Sequence, residues 1–302
     1  MTSPASQTVT QVEGRRLALT NLDKVLYPDA KFTKADVISY YVKIAPLLLP
    51  HLAGRPVTFV RSPNGVDRGV FFEKRIPRTA PSWVQVIDVP RSSRSGDAET
   101  IHAPAIADLA SLVWAANLAV LELHVPLWRS QQPAEYGQFD QMVFDLDPGA
   151  PAGIVECCEV VQLLVGVLTG RGHSIMRPKT SGKKGMHLYV PLSPPWPWQS
   201  VRKEAMAIAH EIESDHPDLV VTTMRKDLRA GKVLIDWSQN APAKTTVAAY
   251  SLRALEVPSV STPVTMDEVR VCATERNPLS LRCGPTEVLE RVARLGDLFA
   301  VG

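Results

Sequence analysis

The stretch FDQMVFDLDPG, residues 139–149, alternates apolar and polar side chains over its FDLD part, residues 144–147, and then ends in Pro-Gly. Alternation of this kind specifies a strand, and Pro148–Gly149 specifies the turn that stops it. Successive strand side chains leave opposite faces, so Asp145 and Asp147 share one face while Phe144 and Leu146 share the other. Two like charges held that close repel and cost stability unless a cation neutralises them. A hard divalent ion with oxygen ligands, magnesium or manganese, resolves the conflict. A solvated acidic strand end before a turn is the alternative.

Working outward, residues 153–172 read as a helix, 173–179 as a strand, 180–185 as a turn and 186–192 as a strand. Residues 198–215 follow as a helix, then 219–224 and 232–237 as strands, and residues 285–300 close the chain as an amphipathic helix. Hairpins mixed with crossover helices predict an α+β sheet of the split βαβ type. Upstream, Thr33 with Asp36 three residues on marks the start of a helix over about 34–49. Strands at RPVTFVR and VFFEK flank a turn at SPNGVDRG, giving a smaller α/β unit. Residues 103–126 carry helical apolar periodicity and are expected to form a core helix ending near His124. The polar stretch at 90–100 is expected to be a mobile surface loop, and residues 1–14 to be disordered. The expected division is therefore 15–135 as an N-terminal α/β part and 136–302 as a catalytic core part.

The 302 residues are 45% hydrophobic and carry a net charge of only +2, so any nucleic-acid contact must come from a local patch. No apolar run reaches bilayer-spanning length and the start lacks the signal-peptide pattern, which predicts a soluble cytoplasmic protein with no membrane partner. Cys157, Cys158, Cys272 and Cys283 have no CxxC spacing and read as reduced structural thiols rather than zinc ligands.

Two further stretches extend the acidic pair. In GKVLIDWSQN, Asp236 ends an apolar alternating strand and reads as a placed carboxylate. In TSGKKGMHLYV, a Gly-punctuated turn offers Ser181, Lys184 and His187, and its backbone N–H groups suit phosphate oxygens. The spacing is not that of a Walker A loop. Basic residues cluster nearby at Arg177, Lys179, Lys183 and Lys184, and at Arg225, Lys226, Arg229 and Lys232. Carboxylate-held metals beside Arg and Lys form the arrangement for in-line phosphoryl or nucleotidyl transfer. Each cluster taken singly is also compatible with an ordinary hairpin or a solvated face.

The order VFDLDPG, SGKKGMH and LIDW resembles the three catalytic motifs of the archaeo-eukaryotic primase superfamily. More closely, the chain resembles the polymerase module of bacterial ATP-dependent DNA ligase D, of the non-homologous end-joining type, and its stand-alone actinobacterial relatives. The likeness runs from about residue 15 to the C-terminus and includes LTNLDKVLYP, TKADVISYY, GRPVTFVRSPNG, VFFEK, LELH, LRAGKVLIDWSQN and KTTVAAYSLR. It implies a primase-polymerase core and a nucleotidyltransferase that adds ribo- or deoxyribonucleotides to a 3′-OH. Such an enzyme is manganese-assisted, favours ribonucleotides, and fills short gaps or ends in DNA repair. By position, the resemblance makes Asp145, Asp147 and Asp236 the metal ligands. Ser181, Lys184, His187, Arg229 and Arg253 then hold the triphosphate, Gln239 lines the nucleotide pocket, Phe72 stacks on the incoming base and His124 lies near the sugar. Asn21, Lys24 and Lys34 match the pocket for the 5′-phosphate across a gap.

The sequence departs from the family pattern at Gln239, where many relatives place an arginine. No KxDG ligase motif occurs, so a separate DNA ligase and an end-binding partner are expected, with the protein acting at the nucleoid. Rival readings are a catalytically idle DNA-end-binding module and a metal-dependent phosphohydrolase or nuclease, since two-metal carboxylate sites serve those reactions too. A glycosidase fits least, because adjoining Arg and Lys suit phosphate rather than neutral sugar.

Overall fold

The computed structural model describes residues 7–92, 98–130 and 138–300. Strand β1 (Gln7–Val12) pairs antiparallel with β2 (Arg15–Thr20) through a Glu13–Gly14 turn, so residues 7–12, expected to be disordered, form a paired strand. The short hairpin of β3 (Val25–Tyr27) and β4 (Phe32–Thr33) leads into α1 (Lys34–Leu52). The expected cap is present: Asp36 N donates to Thr33 Oγ1 over 3.2 Å and Thr33 N to Asp36 Oδ2 over 2.8 Å. One face of α1 buries Tyr40, Tyr41, Ile44 and Leu48.

Beyond β5 (Thr58–Arg61) and β6 (Phe71–Glu73), a long hairpin joins β7 (Val86–Ser92) to β8 (Ala98–Pro104). Most of the stretch expected to be a mobile loop is thus paired strand, with Pro90 opposite Thr100, and residues 93–97 lie outside the described residues. The expected single helix over 103–126 divides into α2 (Leu109–Asn117) and β9 (Val120–Val125), separated by Ala119 at φ 58°. Both pieces are buried nearly throughout. With α2 buried nearly all round and only Glu122 and His124 polar in β9, the apolar spacing of the whole stretch did not tell a core helix from a core strand.

The principal sheet is built from β10 (Gln138–Pro148), α3 (Ile154–Gly170), β11 (Arg177–Thr180), β12 (Met186–Pro197), α4 (Trp198–Asp215), β13 (Val220–Val221) and β14 (Val233–Asp236). The strand order is β11-β12-β10-β14-β13, which puts the first strand of the unit beside both the third and the last. That is the split βαβ arrangement expected from sequence. The helices α3 and α4 cover the face that carries Phe144, Leu146, Met186 and Leu188, all fully buried. This leaves the Asp145 face open to the chemistry.

The remaining elements are β15 (Thr246–Val247), β16 (Leu252–Arg253), β17 (Ser259–Val260), α5 (Met266–Glu275) and α6 (Pro285–Leu295); α5 was not anticipated. β15 completes a second sheet in the order β15-β9-β5-β6, so late residues return into the N-terminal part and the expected division at 135 is not a boundary in space. Buried tyrosine hydroxyls tie the same two parts: Tyr27 donates to Arg253 O over 3.0 Å and Tyr40 to Tyr250 O over 2.8 Å. All four cysteines are buried and free. Among the described residues no helix is long and apolar enough to cross a membrane.

Candidate active site

Register assembles the site. On β12, β10 and β14, His187 stands directly opposite Asp145, and Asp145 directly opposite Asp236; Lys179 on β11 stands opposite His187. Directly opposed residues share a face, so four polar side chains form one row across four strands. His187 Nε2 lies 3.3 Å from Asp145 Oδ1. Lys179, with no exposed surface, sets Nζ 3.0 Å from His187 Nδ1 and donates to Ser261 Oγ over 2.6 Å. Asp236 Oδ1 accepts from Ser238 N over 3.0 Å, and Oδ2 from Gln239 Nε2 over 3.0 Å.

Asp147 lies two residues along the same face. Lys184 Nζ is 2.9 Å from its Oδ1, and the Arg229 guanidinium holds Oδ2. Two close backbone approaches bring these cations in. A Cβ on Gly149 would lie 1.9 Å from Arg229 O, and one on Gly185 would lie 2.1 Å from Leu146 O, so neither position admits a side chain. The glycine that ends FDLDPG is therefore what lets the Arg229 segment close on the strand.

The buried groups of the row differ in charge state. Burial drives the His187 imidazole down to about 4, and Lys179 beside it adds to the effect, so it is neutral at neutral pH. Burial also drives Lys179 down, with Arg253 contributing. For Asp145 burial acts upward, but His187, Lys179 and Arg253 outweigh it and keep the carboxyl below its ordinary value. The row therefore offers an anion backed by a neutral imidazole.

A cleft of about 470 Å³ opens over this row. Asp145, Asp147, Asp236, His187, Ser181 and Lys184 line it, and so do His124, Arg229, Gln239 and Arg253. Phe72 stands at its edge, 66% exposed, with its ring 6.0 Å from that of His124. Within the SGKKG turn, Ser181 Oγ accepts from Lys183 N and Gly185 N, each over 3.2 Å. Those two amides, like that of Ser181, which donates to Gly185 O, are bonded within the turn, and the Lys183 and Lys184 side chains line the cleft. Gln239, on Asp236, is likewise already paired.

The two basic clusters split on folding. From the first, Lys183 and Lys184 reach the cleft and Lys179 lies buried in the row, but Arg177 lines a separate crevice beside Arg55 and Arg129. From the second only Arg229 arrives; Arg225 pairs with Asp227 over 2.5 Å and Lys232 donates to Pro217 O over 2.6 Å.

Asn21, Lys24 and Lys34 lie outside the cleft, in the turn between β2 and β3 and at the first residue of α1. Asn21 has φ 52°. Lys24 Nζ donates to Asn64 Oδ1 over 3.2 Å, and Lys34 Nζ to Thr20 O over 2.7 Å. Burial lowers Lys34 to about 8, with Lys24 and Arg61 adding to the effect. Cations close enough to depress one another form a corner that favours an anion.

Glu122 was missed. It is 2% exposed, sets Oε2 2.7 Å from His124 Nε2, and accepts from Ala254 N over 2.9 Å. Arg253 Nε lies 3.2 Å from its Oε1. Burial would raise its pKa, but His124 and Arg253 bring it down to about 2. Glu122 and His124 are two apart on β9, so reading that stretch as a strand would have paired them. Lys179 was seen only as part of a charge cluster, and Asn240 not at all.

Asp145, Asp147 and Asp236 are all hard oxygen donors on one face, the donor set that suits magnesium or manganese. Among the described residues no three His, Cys, Asp or Glu side chains already converge into a shell. Arg229 and Lys184 hold Asp147 in the place of an ion.

A split βαβ sheet carrying three strand-borne aspartates beneath a Lys/Arg-lined cleft defines a nucleotidyltransferase of the primase-polymerase class. The family model described as LigD, primase-polymerase domain, matches residues 33–299, and the chain belongs to that family. The chain is 43% identical over 285 residues to the multifunctional non-homologous end joining protein LigD of Mycolicibacterium smegmatis, covering 94% of this chain and 36% of that protein. Against the bifunctional non-homologous end joining protein LigD of Bacillus subtilis the identity is 34% over 262 residues, 86% of this chain and 40% of that one. The chain thus spans little more than a third of the length of these relatives. The solved polymerase domain from Mycobacterium tuberculosis Ligase D in complex with DNA superposes with a TM-score of 0.86 at 42% identity, covering 94% of this chain and 96% of that one.

Proposed function

We propose that this polymerase domain extends a 3′-hydroxyl at short gaps or broken ends of DNA that carry a downstream 5′-phosphate, using ribo- or deoxyribonucleoside triphosphates. The observation that carries the reading is the row His187–Asp145–Asp236 on three adjacent strands, with Asp147 on the same face. Asp145, Asp147 and Asp236 would hold manganese or magnesium. Such an ion, when bound, offsets charge on the triphosphate and activates the attacking oxygen. Lys183, Lys184, Arg229 and Arg253 line the cleft where the triphosphate oxygens belong, and Ser181 shapes the turn that bears the two lysines. Neutral His187 can donate a hydrogen bond without adding charge. Phe72 offers an exposed ring to a base, a contact tolerant of base identity, and His124 sits beneath it. Asn21, Lys24 and Lys34 would seat the 5′-phosphate, a contact that positions DNA without reading sequence. The protein would act at the nucleoid in the cytoplasm, with a ligase activity and an end-binding protein completing repair.

The test is primer extension on a short-gapped duplex bearing a downstream 5′-phosphate, with manganese and either kind of nucleotide, beside Asp145→Ala. Extension by the wild type alone supports the reading; equal extension by both removes the site.

A further inference from the structure

Strand β14 ends at Asp236, and its pairing with β10 covers only Asp145 to Pro148. Between the isolated Trp128–Phe139 bridge and Asp145, that edge of β10 has no strand beside it among the described residues. Alternate residues of an antiparallel strand turn N–H and C=O to the same neighbour, so Val143, two before Asp145, turns both groups to the side where β14 has stopped. Buried and unpaired, they would cost stability.

The side chain of Asn240 takes the place of the missing strand. Its Oδ1 accepts from Val143 N over 2.9 Å, and its Nδ2 donates to Val143 O over 2.7 Å and to Trp237 O over 2.9 Å. Both amide hydrogens and the carbonyl are thus used, and the residue has no exposed surface. Between Asp236 and Asn240 lies a single tight turn, Trp237–Gln239, in which the amide and the hydroxyl of Ser238 are bound to Asp236 Oδ1. From the other side, the Arg202 guanidinium of α4 stacks 4.8 Å from the Trp237 ring, and Arg202 Nη1 donates to Ser238 O over 3.4 Å.

We propose that Asn240 is a positioning residue for the proposed metal site. By acting as one more hydrogen-bonded rung of β14, it locks the turn after Asp236 to the strand that bears Asp145 and Asp147, and so sets the spacing between the third carboxylate and the first two. Arg202 clamps the same turn from outside. The inference rests on the metal-site reading above.

The test measures manganese affinity without nucleotide, by the EPR signal of free Mn²⁺, in the wild type, Asp145→Ala, Asn240→Asp and Arg202→Ala. Asn240→Asp keeps the acceptor for Val143 N but loses both donated bonds. Outer-shell partners of metal ligands are worth about 10- to 100-fold in affinity, and Asn240→Asp should fall in that range with Arg202→Ala a few-fold weaker than wild type. Val288→Ala, which opens a cavity in α6 away from the cleft, lowers the melting temperature and should leave manganese affinity unchanged. Should Asn240→Asp not fold, Arg202→Ala carries the comparison. If Asp145→Ala weakens binding but both turn variants bind as the wild type does, the positioning role is wrong while the metal site stands. If Asp145→Ala binds as the wild type does, the site reading fails and this inference with it.

Discussion

The aspartate row and the cationic corner are built in opposite ways. The row sits on the middle strands of a sheet, each member fixed by register to its neighbour, and Asp147 on the same face is balanced inside the protein by Arg229 and Lys184. The corner stands on the turn between β2 and β3 and the first residue of a helix, and its cations have mostly neutral partners: Asn64 for Lys24, Thr20 O for Lys34. On the proposed reading the row holds cations between carboxylates and gains from rigid spacing, whereas the corner only seats a phosphate and needs unpaired positive charge. The two regions should therefore fail differently.

The sharpest break is Asp145→Ala. Losing a ligand to an ion worth several kcal/mol should lower extension about a thousandfold or more, while binding of 5′-phosphorylated DNA, measured by anisotropy, stays within error of wild type. Loss of both would mean that row and corner are not separate. Acid should come next, and should strike the cleft wall. Glu122 titrates near 2 in the fold against 4.5 ordinarily, so its contribution is complete above pH 4.5 and is lost as pH falls toward 2. That is on the order of 3 kcal/mol for this buried group. Denaturant melts at pH 5 and pH 2.5 should show a smaller difference in Glu122→Gln than in the wild type.

At the corner, Lys24→Ala should reduce the preference for a 5′-phosphate about tenfold, the value of one charged hydrogen bond of roughly 1.5 kcal/mol. Extension at saturating DNA should be unchanged. Smallest of all is a pH effect at Lys34. Its pKa is lowered to about 8, so its charge is complete below that pH and lost above it. The preference for a 5′-phosphate should fall between pH 7 and 9 by a few-fold, and Lys34→Met should lack that step. An unchanged profile in Lys34→Met would remove Lys34 from the pocket.

How much was legible follows from what each motif needed. Asp145, Asp147 and Asp236 were readable because strand alternation is a local property, and Thr33 with Asp36 because a helix cap is closed within four residues. Glu122 was lost because β9 follows α2 within one apolar run, so its alternation with His124 was read through a helical period. The basic clusters misled because proximity in sequence does not say which side chain turns inward: Lys179 is wholly buried while Arg225 pairs with its own neighbour Asp227.

Alone, the sequence determined the α+β core, the strand that bears FDLDPG, the face its two aspartates share, and the family those motifs mark. Tertiary structure decided which residues stand opposite one another. That Asp145 faces His187 on one side and Asp236 on the other, that Arg229 closes on Asp147 past Gly149, and that Asn240 finishes a strand 97 residues from Val143 are facts of register and long-range packing. They depend on contacts between segments far apart in the chain, and no local preference encodes them.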